Sequence, residues 1–118
     1  MGLTHITMTV GNPADPARSC DVTFLVDSGA IFAVVPRTIL AELGISPQRT
    51  ESFSLADCTC IYREVGNAMF TYEGRETAAP VIFGEPGDAT LLGVLTLEAL
   101  ALMLDPLKRE LRPMLLRM

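Results

Sequence analysis

Asp27-Ser28-Gly29-Ala30 follows directly on the apolar run Phe24-Leu25-Val26 and precedes Ile31-Phe32-Ala33-Val34-Val35-Pro36. A carboxylate is thereby set where a buried strand breaks into a glycine turn. Aspartate is seldom fully buried unless it is paired, hydrogen-bonded or engaged in chemistry. The next two residues offer a hydroxyl and a permissive backbone, a setting that suits a catalytic carboxylate acting as general acid or base. Taken alone, Asp27 fits an ordinary turn residue equally well, since Asp and Gly are common turn formers. A second element bears on that choice: Leu91-Leu92-Gly93, again an apolar strand entering glycine, stands just before a helical stretch.

Other chemistries have weaker footing. Ser28 lacks the Gly-x-Ser-x-Gly elbow of a serine hydrolase, and the chain's one histidine, His5, lies near the N-terminus. His5 with Cys20, Cys58 and Cys60 has enough donor atoms for zinc, but Cys-x-Cys falls short of the usual ligand spacing, so no metal or other cofactor is expected. Three cysteines do not resemble a disulfide framework, and reduced thiols are expected.

The elements that must position Asp27 are mostly strands. Alternation predicts a strand over 5–10, ended by the turn cluster Gly11-Asn12-Pro13, then a polar loop over 14–19. Residues 22–26 and 31–35 are rich in β-branched and aromatic side chains and read as strands on either side of the Asp-Ser-Gly turn. Pro36 opens a helix running through Leu43, stopped by Gly44. Residues 51–55 and 60–65 form a hairpin with Ala56-Asp57-Cys58-Thr59 at its tip, where Asp57 alone reads as a solvated turn residue. Gly66-Asn67 interrupts the second strand as a bulge or a close backbone approach, and strands over 68–72 and 79–83 follow. Leu97, Leu100, Ala101 and Leu104 mark a helical face over 96–104, with Thr96 as N-cap and Pro106 as the stop.

With this order in place, the chain resembles the retropepsin-like aspartic proteases, in particular small bacterial and archaeal members, over residues 3–113. Phe24-Leu25-Val26-Asp27-Ser28-Gly29-Ala30 is similar to their active-site segment, and Leu91-Leu92-Gly93 to their second apolar-apolar-Gly element. The resemblance implies an all-β fold with two short helices, a retropepsin-like half-barrel that supplies one half of a bilobal homodimer. Asp27 of two subunits would face across a twofold axis and cleave peptide bonds of a peptide or protein substrate. Two carboxylates about 3 Å apart do not both ionise easily, so they share a proton and titrate as a pair.

The same resemblance gives Ser28 the role of a hydroxyl that locks the two active-site turns together, and Gly29 that of close backbone approach. Ala30 would border the substrate backbone, and the hairpin tip Ala56-Asp57-Cys58 would be the flap that closes over it. Related flaps commonly carry glycine near the tip, and Cys58 departs from that pattern. Ile31, Val35, Leu92 and Val94 are candidates for the lining of apolar specificity pockets, and residues 3–10 and 111–118 for interface strands. A non-catalytic dimeric peptide-binding or scaffold module is the alternative, because fold alone does not establish chemistry.

Composition sets the outer bounds. The 118 residues suit one domain, and the 49% apolar fraction exceeds what a small solvated monomer needs. A formal charge of −5 argues against general nucleic-acid binding. Residues 105–118 carry a net +2 and the rest about −7, a basic tail suited to solvent or to an acidic surface. No run approaches the ~18 apolar residues of a membrane span, and Met1-Gly2-Leu3-Thr4-His5 does not begin a secretory signal, so a cytoplasmic location is expected.

Overall fold

Alternating side chains build the first hairpin. In β1 (His5–Asn12) Ile6, Met8 and Val10 turn inward, while the hydroxyls of Thr7 and Thr9 face solvent and bond Thr23 and Asp21 of β2 (Asp15–Val26). Val22 and Phe24 complete the inner face of the pair, and the Phe24 ring lies 6.1 Å from that of Phe70. The computed structural model describes residues 3–118; Met1 and Gly2 of the N-terminal reading lie outside it.

The order is β1, β2, β3 (Ala33–Pro36), α1 (Arg37–Glu42), β4 (Arg49–Ser54), β5 (Cys60–Tyr72), β6 (Arg75–Gly84), β7 (Leu91–Leu92), α2 (Val94–Ala99), β8 (Leu102–Asp105) and β9 (Glu110–Pro113). The chain is mainly β with two short helices. Seven strands join in the order β1-β2-β7-β3-β6-β5-β4, and an added β1–β5 pairing closes six of them into a ring, with β4 outside it on β5. Inside lie Met8, Val10, Phe24, Val35, Phe70, Val81, Phe83 and Leu92, all nearly inaccessible. Among the described residues no helix is long and apolar enough to cross a membrane.

Three sequence expectations give way to tertiary pairing. The polar loop expected over 14–19 is the first half of β2, paired to β1 with a register shift at Gly11/Asn12. Its side chains face solvent, so it carries no apolar face to betray a strand; Arg18 instead reaches the Glu42 carbonyl at 2.6 Å, at the end of α1. The helix expected over 96–104 ends at Ala99. Ala101 then adopts φ +57°, and Leu102 and Leu104 pair with Pro113 and Leu111 across β8–β9. The leucine spacing satisfied helical and strand periods at once, and the partner strand decided. Thr96 is no N-cap: Gly93 holds that position, and the Thr96 hydroxyl is buried without a partner among the described residues. At Gly66 the register runs on without a bulge, and of the two alternatives the close approach holds: a Cβ there would stand 3.0 Å from the Ser46 carbonyl oxygen and 3.1 Å from the Phe83 ring.

Helix α1 is one residue shorter at each end than expected: Pro36 closes β3 and is the N-cap, Leu43 is the C-cap, and Gly44 follows at φ +76°. Gly93 is the glycine pressed most closely against backbone. A Cβ there would sit 2.6 Å from the Phe32 carbonyl carbon and nearer still to the Ile31 carbonyl oxygen, both backbone atoms.

Gly93→Ala is expected to destabilise the protein by about 3 kcal/mol or more, because neither backbone atom yields like a side chain; urea unfolding followed by circular dichroism measures it. Thr96→Val is expected to stabilise by about 1 kcal/mol in the same assay, since it removes an unpaired buried hydroxyl at nearly constant shape.

Candidate active site

Asp27 stands where β2 ends, and backbone hydrogen bonds fix the turn that carries it. Its N–H donates to the Leu92 carbonyl at 3.2 Å, and the Ala30 N–H returns to the Asp27 carbonyl at 3.1 Å. On the far side, the N–H groups of Val94 and Leu95 donate to the carbonyls of Ala30 and Ile31 at 2.8 and 3.1 Å. The first turn of α2 therefore clamps the outgoing limb of the Asp27 turn while β7 holds the incoming one. The parallel pairing of Leu25 and Val26 with Leu91 and Leu92 makes both contacts possible at one level of the sheet.

Within the turn, Gly29 N–H donates to Asp27 Oδ1 at 2.8 Å. This Asx arrangement aims the carboxylate, and among the described residues Oδ2 has no hydrogen-bond partner. A Cβ on Gly29 would lie 3.2 Å from Oδ1, so glycine leaves the carboxylate room. Asp27 is half-buried; Ser28 is exposed, and its hydroxyl makes no hydrogen bond among the described residues.

A cleft of about 790 Å³ opens above this turn between the sheet and the β4–β5 hairpin. Its floor comes from Asp27, Gly29, Ala30, Ile31 and Phe32, and its roof from Phe53, Ser54, Leu55, Ala56 and Ile61. The Phe32 and Phe53 rings meet edge to face with centroids 6.3 Å apart, joining floor to roof. Arg63 of β5 and Asp88 of the β6–β7 loop supply the cleft's remaining charges: Nε donates to Oδ2 at 2.7 Å and Nη2 to Oδ1 at 2.9 Å. Asp88 also accepts the Glu85 N–H at 2.8 Å. The Arg63 hydrogen bonds hold the Asp88 carboxyl below its ordinary pKa, and the pair ties the hairpin to the loop opposite.

At the hairpin tip the Leu55 and Cys58 N–H groups close the turn on the Thr59 and Leu55 carbonyls at 2.8 and 2.9 Å. Hydrogen bonding from Thr59 keeps the Asp57 carboxyl below its ordinary pKa. Cys58 takes φ +68°, a left-handed conformation that glycine adopts freely and that costs other residues about 1 kcal/mol. The place where the sequence departs from the glycine pattern is thus the place where the backbone favours glycine.

The structure brings Asp27, Gly29, Ala30, Ile31 and Ala56 to one cleft and leaves Asp57 and Cys58 exposed at the tip beyond its lining. Three pocket candidates fall outside this lining. Leu92 and Val35 are fully buried in the core, because both stand on central strands with inward side chains; Leu92 meets the site only through its carbonyl. Val94 likewise lies outside the cleft lining and meets the site through its N–H, which donates to Ala30 at the start of α2. Sequence reasoning missed Phe32, Phe53, Ile61, Arg63 and Asp88. The alternation of Ile61 and Arg63 along one face of β5 was a usable signal, but Asp88 in a plain loop offered none.

Asp88→Asn is expected to cost about 1 kcal/mol at neutral pH, a partly exposed ion pair being only partly screened. A depressed folded pKa means the contribution is complete above the ordinary carboxylate pKa of 3.8 and is lost as pH falls through the lower folded value. Urea unfolding of both proteins should show the gap at pH 7 and its closure toward about pH 2. A scan of the chain against protein-family models finds no match, and no curated protein matches it either.

Proposed function

We propose that the protein is a retropepsin-like aspartic endopeptidase that works as a homodimer, each subunit supplying one Asp27. The observation that carries this reading is the Asp27 turn: a carboxylate pinned by backbone contacts from β7 and α2, one oxygen held by Gly29 and the other free at the floor of a largely apolar cleft. The cleft of one chain contains a single such turn. The carboxylate pair that this chemistry needs would come from a second copy related by a twofold axis.

In the dimer the two carboxylates share one proton. The ionised member takes a proton from water as the oxygen attacks the peptide carbonyl, and the protonated member donates to the carbonyl oxygen. Collapse of the tetrahedral intermediate delivers a proton to the departing amine. The β4–β5 hairpin would exclude water above the peptide. The unpaired Ser28 hydroxyl suits a bond between the two turns across the interface. Self-association is supported by the exposed apolar residues near both ends, Leu3, Leu115 and Leu116, at 68%, 97% and 67% of full exposure. The free cysteines Cys20, Cys58 and Cys60 suit a reducing compartment such as the cytoplasm.

The second reading, a non-catalytic dimeric peptide-binding or scaffold module, is favoured by one observation: the hairpin tip carries Cys58 in a conformation made for glycine. Asp27→Asn decides between them. Cleavage of a mixed peptide library should fall by about a thousandfold or more in the variant, with the dimer intact by analytical ultracentrifugation. Cleavage that persisted in the variant, or a wild-type chain that stayed monomeric at high concentration with peptide present, would refute the shared-site mechanism. A wild-type dimer that binds peptides and cuts none would establish the scaffold reading.

A further inference from the structure

Among the described residues Arg63 is the one cation in the lining of the cleft, and its hydrogen bonds leave part of it unused. A guanidinium has five N–H donors. Nε and one N–H of Nη2 are taken by Asp88, and one N–H of Nη1 donates to the Tyr62 carbonyl at 2.9 Å. One N–H therefore remains on Nη1 and one on Nη2, without acceptors among the described residues. The side chain is only 20% exposed, and the two-point contact with Asp88 orients its plane. Ile61, two residues earlier on the same face of β5, places apolar surface beside it. Asp88 has less to offer: of the about four lone-pair positions of a carboxylate, three already accept, two from Arg63 and one from Glu85.

We propose that Arg63 is a specificity-determining residue: it reads a carboxylate side chain on a bound peptide, an Asp or Glu lying next to a large apolar residue that occupies the Phe32, Phe53 and Ile61 surface. The inference rests on reading the cleft as a peptide site and does not require that the peptide be cut. Guanidinium and carboxylate match as planar two-point partners, and a lysine on the ligand would meet an already oriented cation. Asp88 acts as the positioning residue, holding the guanidinium plane while its charge tempers the attraction.

The test is equilibrium binding of labelled peptides to the Asp27→Asn protein, in which an extended apolar peptide carries Glu, Gln or Lys walked through successive positions. At one position the Glu peptide should bind about tenfold or more tighter than the Lys peptide. Arg63→Met should level the series. Asp88→Asn should keep the Glu preference or increase it, because the fork remains while the offsetting charge is gone. A merely structural ion pair makes the opposite demand, with both substitutions changing binding alike. Equal affinity for Glu and Lys peptides at every position, or parallel effects of the two substitutions, would overturn the inference. Failure of the wild-type dimer to cut the tightest peptide would count against the protease reading alone.

Discussion

Gly93 lies against the backbone of Ile31 and Phe32 at a separation that leaves no room for a side chain, and the placement of Asp27 depends on that contact. Because the two segments touch through main chain, α2 can donate from Val94 and Leu95 to the carbonyls of Ala30 and Ile31, while β7 accepts from Asp27. The turn is thus bonded on both limbs by neighbours far away in sequence. A carboxylate on a loop anchored only at its ends would wander. Here its backbone is held as firmly as a strand, and the Gly29 N–H fixes the side chain as well. Preorganisation of this kind is what general acid–base chemistry asks of a scaffold.

Around that fixed turn the cleft is asymmetric in both rigidity and polarity. Its floor is the turn between β2 and β3, both strands of the closed ring, whereas its roof is a hairpin whose β4 pairs with β5 alone. The roof is tied down by side chains: the Phe32–Phe53 edge contact at the middle and the Arg63–Asp88 pair at one end. Behind them Arg37, at the start of α1, pairs with Glu64 of β5 and Glu85 of the β6–β7 loop and stands 5.3 Å over the Phe83 ring. Charged residues here replace the continuous core that the hairpin lacks. Ties of this strength open more readily than backbone ladders do, which suits a cover that must admit an extended ligand.

The proposed homodimer gives a physical account of what one chain leaves incomplete. A lone carboxylate with one free oxygen has no partner to share a proton with, and the Ser28 hydroxyl beside it has no acceptor among the described residues. Leu3, Leu115 and Leu116 face solvent. Each of these would be resolved by the same twofold contact.

Much of this was legible in the chain itself. The Asp-Ser-Gly turn after an apolar strand, the second strand entering Gly93, the proline-led helix α1 and the β4–β5 hairpin all follow from short-range signals: side-chain period, turn chemistry and the φ limits of proline and glycine. Where two periods coincided, as at Leu100, Leu102 and Leu104, local pattern had no means of choosing, and β9 chose by pairing with β8. Residues 15–19 carry no apolar face at all, and only their backbone partners in β1 made them strand. The cleft belongs to the same class. Arg63 and Asp88 are 25 residues apart and meet because β5 and β6 run antiparallel and the β6–β7 loop turns back under the hairpin. Sequence alone determined where a carboxylate could stand in a glycine turn at a strand end, since that depends on bonded neighbours; tertiary structure decided what surrounds it, since that depends on which distant strands share a sheet.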